Sequence, residues 1–164
     1  MLRVENLLKM DKSTIEHFWY AFLAGLPPDS RYFGKNYVAE RFGDSPALAD
    51  ELAHLIVRGI KTGTCSALWE LEAKGNPIPR PGLISIVFDG HDKPKCIIEI
   101  TEVFVCRFNV IDDEFARAEG EGDLSLEYWR KAHISFFSRV LPKIGKEFSE
   151  EMPLVCERFR VIYK

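Results

Sequence analysis

A chain of 164 residues is long enough for one domain with a sizeable core, and 46% hydrophobic with 29% charged residues is the balance of a folding sequence, not a disordered one. A net charge of −3 argues against a protein that coats duplex nucleic acid, because such binding neutralises many phosphates with Lys and Arg; a small or single-stranded ligand stays open. No run of about 18 apolar residues is present to span a bilayer, and Met1 to Lys12 lacks the apolar core of a signal peptide. A cytoplasmic protein with no membrane partner is therefore expected.

Ser13-Thr14-Ile15-Glu16 has the form of a capping box, and Ile15, Phe18, Trp19, Phe22 and Leu23 recur at helical spacing, predicting a helix over 13–24 that Pro27-Pro28 stops. Tyr32, Phe33, Tyr37 and Phe42 read as a loop whose rings plug core edges. Ser45-Pro46 starts a second helix with an apolar stripe of Leu48, Leu52, Leu55 and Ile56, and Gly59 closes it. Residues 67–73, with Trp69, form a strand or short helix, and three prolines stiffen the loop from Gly75 to Gly82. Strands over 83–88 and 96–106 flank a turn at Asp89-Gly90-His91-Asp92, giving a hairpin. A short helix over 112–119, a polar loop at 120–123, a longer helix over 125–140 and a closing strand over 152–163 complete the chain. Strands interrupted by helices without a regular βαβ rhythm favour an α+β fold, a mixed sheet curled into a small barrel.

Chemistry concentrates in Gly59-Ile60-Lys61-Thr62-Gly63-Thr64, which sets an amine and a hydroxyl three residues apart on a glycine-flanked segment. A desolvated lysine that loses its proton serves as a base, and a threonine hydroxyl needs such a neighbour to act as a nucleophile. The plain alternative is a helix-closing glycine followed by a solvated lysine. Glu121, between Gly120 and Gly122, is the candidate carboxylate, its alternative being a solvated acidic turn that caps the next helix. Trp69 and Trp129 are candidates to stack on a base, with core or cleft-wall packing as the alternative. Glu99 and Glu102 occupy opposite faces of one strand, so one of them is a candidate to face a cleft. Cys65, Cys96, Cys106 and Cys156 are widely spaced, with no histidines flanking them at zinc-ligand separation, so reduced buried thiols and no metal or other cofactor are expected.

Gly59, Lys61 and Thr64, the strand 97–103, the run from Phe115 to Arg130 and Val155-Cys156-Glu157-Arg158-Phe159 together resemble the ASCH domain family of the PUA-like superfamily, in its larger branch, over most of residues 40–164. The resemblance implies one PUA-like mixed β-barrel domain over 1–164 with peripheral helices. Residues 1–44 would be an N-terminal helical elaboration, a candidate to narrow the cleft or to form a homodimer surface. It implies a cleft beneath the Gly-x-Lys-x-x-Thr segment that takes a nucleoside or single-stranded RNA. A smaller bacterial member is an amidohydrolase on N4-acetylcytidine, and its lysine, threonine and glutamate correspond by motif to Lys61, Thr64 and Glu121. In that mechanism Lys61 takes the proton of Thr64, whose oxygen attacks the amide carbonyl. Gly59, Gly63, Ser66, Trp69, Glu99 and Trp129 are the candidate substrate contacts; Ser66 stands where the smaller enzyme has an arginine. The alternatives are a non-catalytic RNA- or nucleotide-binding module and, third, a ribonuclease.

Overall fold

The computed structural model describes residues 11–164; the first ten residues of the expected elaboration lie outside that range. Helix α1 (Lys12–Ala24) is capped by Asp11 and not by Ser13, because the Asp11 carboxylate accepts the Ser13 backbone N–H at 3.1 Å together with the Ser13 and Thr14 hydroxyls. The aromatic stretch expected as a loop contains a strand, β1 (Val38–Arg41). Four residues, two of them charged, are too few to show an alternating pattern, and parallel pairing with residues 85–88 is what makes them a strand.

Helix α2 (Pro46–Val57) begins as expected, the Ser45 hydroxyl accepting the Leu48 N–H at 3.3 Å. The Lys-Thr motif then runs directly into a strand, β2 (Gly63–Ala67), and α3 (Leu68–Ala73) follows without a loop. The hairpin of β3 (Ile84–Phe88) and β4 (Pro94–Arg107), the helices α4 (Asp113–Glu119) and α5 (Leu126–Val140) and the closing strand β5 (Pro153–Tyr163) all form as the sequence implies. None of the helices among the described residues is long and apolar enough to cross a membrane.

The five strands form one sheet in the order β1-β3-β4-β5-β2, parallel between β1 and β3 and antiparallel elsewhere. Register shifts at Val87/Phe88, Ile97/Ile98 and Ile100/Glu102 each let a strand bend, and the sheet curls into a half-barrel with helices around it, the α+β architecture expected. The middle of β4 is buried on both faces. Cys96, Ile98 and Ile100 pack with Leu52, Ala53 and Ile56 of α2, whereas Ile97 packs with Ile15, Trp19 and Phe22 of α1. A third cluster, including Phe108, Phe115, Trp129, Phe137 and Leu154, joins α4 and α5 to the far end of β5. Each such side chain contributes roughly 1.5–3 kcal/mol on burial, so α5 is anchored by its Trp129 and Phe137 face, which fixes where its neighbours point.

Candidate functional site

Lys61 is placed by the way α2 ends. Gly59 adopts φ +72°, open to glycine at little cost, and the Ile60 and Lys61 N–H groups both donate to the Leu55 carbonyl at 3.0 and 3.2 Å. Thr62 donates its N–H to the Ala118 carbonyl at 2.7 Å and accepts from the Phe159 N–H at 2.9 Å, so the motif is stitched to the end of α4 and to β5. Gly120 is indispensable to this seam. It sits at φ +73°, and a Cβ there would lie 2.7 Å from the Ile60 carbonyl oxygen and 2.8 Å from the Lys61 Cα. That close approach brings Glu119 and Glu121, on either side of Gly120, to one lysine.

Lys61 is 1% exposed, and its three N–H groups meet three acceptors: the Glu121 Oε1 at 2.7 Å, the Glu119 Oε2 at 2.9 Å and the Glu119 carbonyl at 3.2 Å. Burial alone would pull the ammonium pKa down; the Glu119 and Glu121 carboxylates outweigh it and hold the group above the ordinary lysine range. Of the two states the sequence leaves open for Lys61, a desolvated amine or a charge held by a carboxylate, the surroundings favour the ammonium, clamped between two carboxylates. Glu119 is just as buried. Its Oε1 accepts the Trp129 indole N–H at 3.2 Å and lies 3.6 Å from His133 Nε2. Burial would raise its pKa, but Lys61 and then His133 hold it far below the carboxylate range. Glu121 is the accessible partner, its side chain 23% exposed against 2% for Glu119.

A cavity of about 300 Å³ opens at this cluster. Lys61, Thr64, Cys65, Glu119, Glu121 and His133 line its polar end; Phe42, Leu48, Leu52, Tyr128 and Phe136 supply apolar walls. Arg139, also a lining residue, is half exposed and pairs with Asp44 at 3.0 Å, tying α5 to the loop before α2. Burial and the Glu119 carboxylate push the Cys65 thiol well above its usual pKa, which leaves it a poor nucleophile.

The three expected catalytic residues thus share one cavity. The expected substrate contacts divide differently. Gly59 is an exposed helix end, Gly63 is buried where an added Cβ would meet the Ala118 Cβ at 3.3 Å, and Ser66 is buried in β2; none lines the cavity. Trp69 packs against the third core cluster with the Lys146 ammonium 5.3 Å from its ring centroid. Trp129 stands behind the cavity wall as the hydrogen-bond donor to Glu119. Glu99 accepts from Arg31, Arg160 and Tyr32 and is not among the cavity residues. In contrast, Glu119, His133, Tyr128 and Arg139 belong to the site without having been singled out. Trp129 and His133 are four apart on one helix and stack at 4.1 Å, a spacing visible in the sequence, but their meeting with Glu119 is not.

The family model of the ASCH domain matches residues 38–163. Among curated proteins none matches. A solved structure of an ASCH domain from Lactobacillus crispatus is 36% identical, aligning over 96% of this chain and 99% of that one with a TM-score of 0.88. Protein EF3133 from Enterococcus faecalis, of family DUF984, is 33% identical over 92% of this chain and 89% of that one, with a TM-score of 0.79. With the matched span running from β1 to the end of β5 and including Lys61, Thr64, Glu119 and Glu121, the chain belongs to the ASCH domain family.

Proposed function

We propose that the cavity takes a single nucleoside and hydrolyses an amide on its base, an N4-acylated cytidine being the substrate class. The observation that carries this reading is the convergence of Lys61, Thr64 and Glu121 in one cavity of about 300 Å³, with the lysine Nζ 2.7 Å from Glu121. A cavity of that size suits one drug-sized ligand, and its mix of aromatic walls with a few polar groups at one end suits a base with an exocyclic amide. The charge distribution favours a neutral ligand. The ammonium of Lys61 is already matched by two carboxylates, so a phosphate placed there meets repulsion from Glu119 and Glu121. This disfavours the binding-module alternative in which Lys61 contacts RNA phosphate.

The saturation of Lys61 also assigns the steps. The acyl oxygen of the substrate takes the place of Glu121, the more exposed partner, on the third Lys61 N–H, and the ammonium polarises that carbonyl. Glu121, released, accepts the proton of Thr64 as the threonine oxygen forms a bond to the carbonyl carbon and the carbonyl π electrons move onto oxygen. Collapse expels the cytosine amine, which takes the proton from Glu121. Water then cleaves the threonine ester to release the carboxylic acid and restore the hydroxyl. Glu119 keeps its hold on Lys61 throughout.

Incubation with N4-acetylcytidine tests the assignment. Wild type should release cytidine and acetate, Thr64→Ala and Lys61→Ala should lose at least about a hundredfold in kcat/KM, and Glu121→Gln should lose a similar factor. Absence of turnover by wild type, or equal turnover in all four proteins, removes the hydrolase.

A further inference from the structure

Cys65, Glu119 and His133 come from β2, α4 and α5, and their Sγ, carboxylate oxygen and imidazole nitrogen all lie within 4.8 Å of one another at the inner wall of the cavity. From this juxtaposition we infer a binding site for a thiophilic divalent cation of the zinc class, with one thiolate, one carboxylate and one imidazole as ligands and a further position open to the cavity.

The geometry around His133 carries the inference. Its Nδ1 lies 2.9 Å from the Trp129 carbonyl oxygen, which accepts only, so Nδ1 bears a hydrogen. In the neutral ring Nε2 is then a bare lone pair. It faces the Glu119 Oε1 at 3.6 Å, the separation of a loose imidazolium–carboxylate pair when Nε2 carries a proton and of two ligands of one ion when it does not. A metal ion bound between them takes the place of that proton. Ligands of a tetrahedral zinc with bonds of about 2.0 Å to N or O and about 2.3 Å to S stand roughly 3.3–3.6 Å apart, so a cluster whose atoms lie within 4.8 Å of one another closes on an ion by at most about 1.2–1.5 Å, shared between two side chains. The outer contacts are also those of a ligating set: the Trp129 carbonyl orients His133, and the Trp129 indole and Lys61 orient Glu119.

Charge balance agrees. With a neutral His133, the ammonium and the two carboxylates leave this end of the cavity with one net negative charge. A divalent ion that displaces the Cys65 proton brings the cluster to neutrality. Lys61 holds Glu119 through Oε2, whereas Oε1 faces His133, so lysine and metal use different oxygens. The linear sequence hides the set, because its members are 54 and 14 residues apart along the chain, unlike the short spacings of zinc knuckles. The site does not depend on the deacylase reading.

Metal-stripped wild type, titrated with Zn²⁺ against a chromophoric chelator and separately with Co²⁺, provides the test. One equivalent per chain and a thiolate-to-cobalt charge-transfer band are expected. Cys65→Ser should abolish the band, Cys65→Ser and His133→Gln should each weaken Zn²⁺ by at least about tenfold, and Cys106→Ser should bind as wild type does. Failure of wild type to take up a stoichiometric ion overturns the site, as does a band that survives Cys65→Ser or disappears in Cys106→Ser. Circular dichroism checks folding of each variant; if Cys65→Ser does not fold, undiminished affinity in His133→Gln still refutes the assignment. Because these readouts need no substrate, they fail or succeed separately from the N4-acetylcytidine assay.

Discussion

Replacing Glu119 by Gln strikes the buried charge cluster at its centre. The carboxylate receives the Lys61 ammonium at 2.9 Å on one oxygen and the Trp129 indole at 3.2 Å on the other. Removing one member of a buried ion pair typically costs about 3–5 kcal/mol. Here two features reduce that figure: Glu121 still compensates Lys61 at 2.7 Å, and the glutamine carbonyl can accept from either Lys61 or Trp129, though not match both as a carboxylate does. With hydrogen bonds to charged groups worth about 1.5–3 kcal/mol, the expected loss is about 2–3 kcal/mol, or a fall in Tm of roughly 4–12 °C for a domain of this size. Urea unfolding in the presence of a chelator measures it, with an unchanged m-value confirming that stability alone has moved. A cycle with Lys61→Met should show the double variant less destabilised than the sum of the singles by at least about 1 kcal/mol. A Glu119→Gln protein within about 0.5 kcal/mol of wild type, or a strictly additive cycle, would refute the idea that these two groups sustain each other.

Gly120→Ala forces a Cβ into the Ile60 carbonyl at a left-handed backbone position; it should destabilise by more than about 2 kcal/mol and cripple the N4-acetylcytidine reaction, and a fully active, stable variant would show that the seam tolerates separation. Trp129→Phe removes the indole donor while keeping the ring, so chemical unfolding should register a loss of about 1–2 kcal/mol, and an unchanged midpoint would mean that the 3.2 Å contact contributes little. Burial raises the Glu99 pKa, but Arg160, Tyr32 and Arg31 more than reverse this, so its folded value lies below its unfolded one. The stability it contributes is then complete above the ordinary glutamate range near about 4.3 and is lost as pH falls through the depressed folded value. Glu99→Gln should flatten the acid limb of the stability profile over that window; an identical slope in both proteins would contradict the assignment.

Elements with strong local signals were legible in the sequence. Ser45-Pro46 marks a helix start because a hydroxyl and a ring lacking N–H suit the unsatisfied first turn, and the β-branched run of β4 has no helical period to compete with its strand reading. Strand β1 was hidden because its four residues owe their conformation to pairing with β3, a tertiary cause. The Lys61-Thr64-Glu121 set was legible through resemblance to the family, and local pattern alone left each member with a plain alternative. Glu119 reads from the sequence only as an acidic neighbour of Glu121, because an acidic residue at the end of a helix is unremarkable until Gly120 lets the chain close against Ile60. The same limit applies to Lys61: the sequence implies its desolvation, but the sign of the effect depends on how many carboxylates are buried with it. Glu99 lies on the strand the sequence implies, and only the loop after α1, which brings Arg31, and the pairing with β5, which sets Arg160 opposite it, show that arginines occupy its face.

That the Lys61 ammonium arrives with every proton already spoken for has a thermodynamic corollary. A planar amide exchanging for Glu121 gains only the difference between two good acceptors, so affinity for the unreacted substrate should be modest and KM correspondingly high. As the carbonyl becomes tetrahedral and its oxygen anionic, that difference grows in its favour. Tight inhibitors of this protein should accordingly be boronic acids, neutral until the Thr64 oxygen adds to boron and makes it tetrahedral, outstripping acylated nucleosides of the same shape.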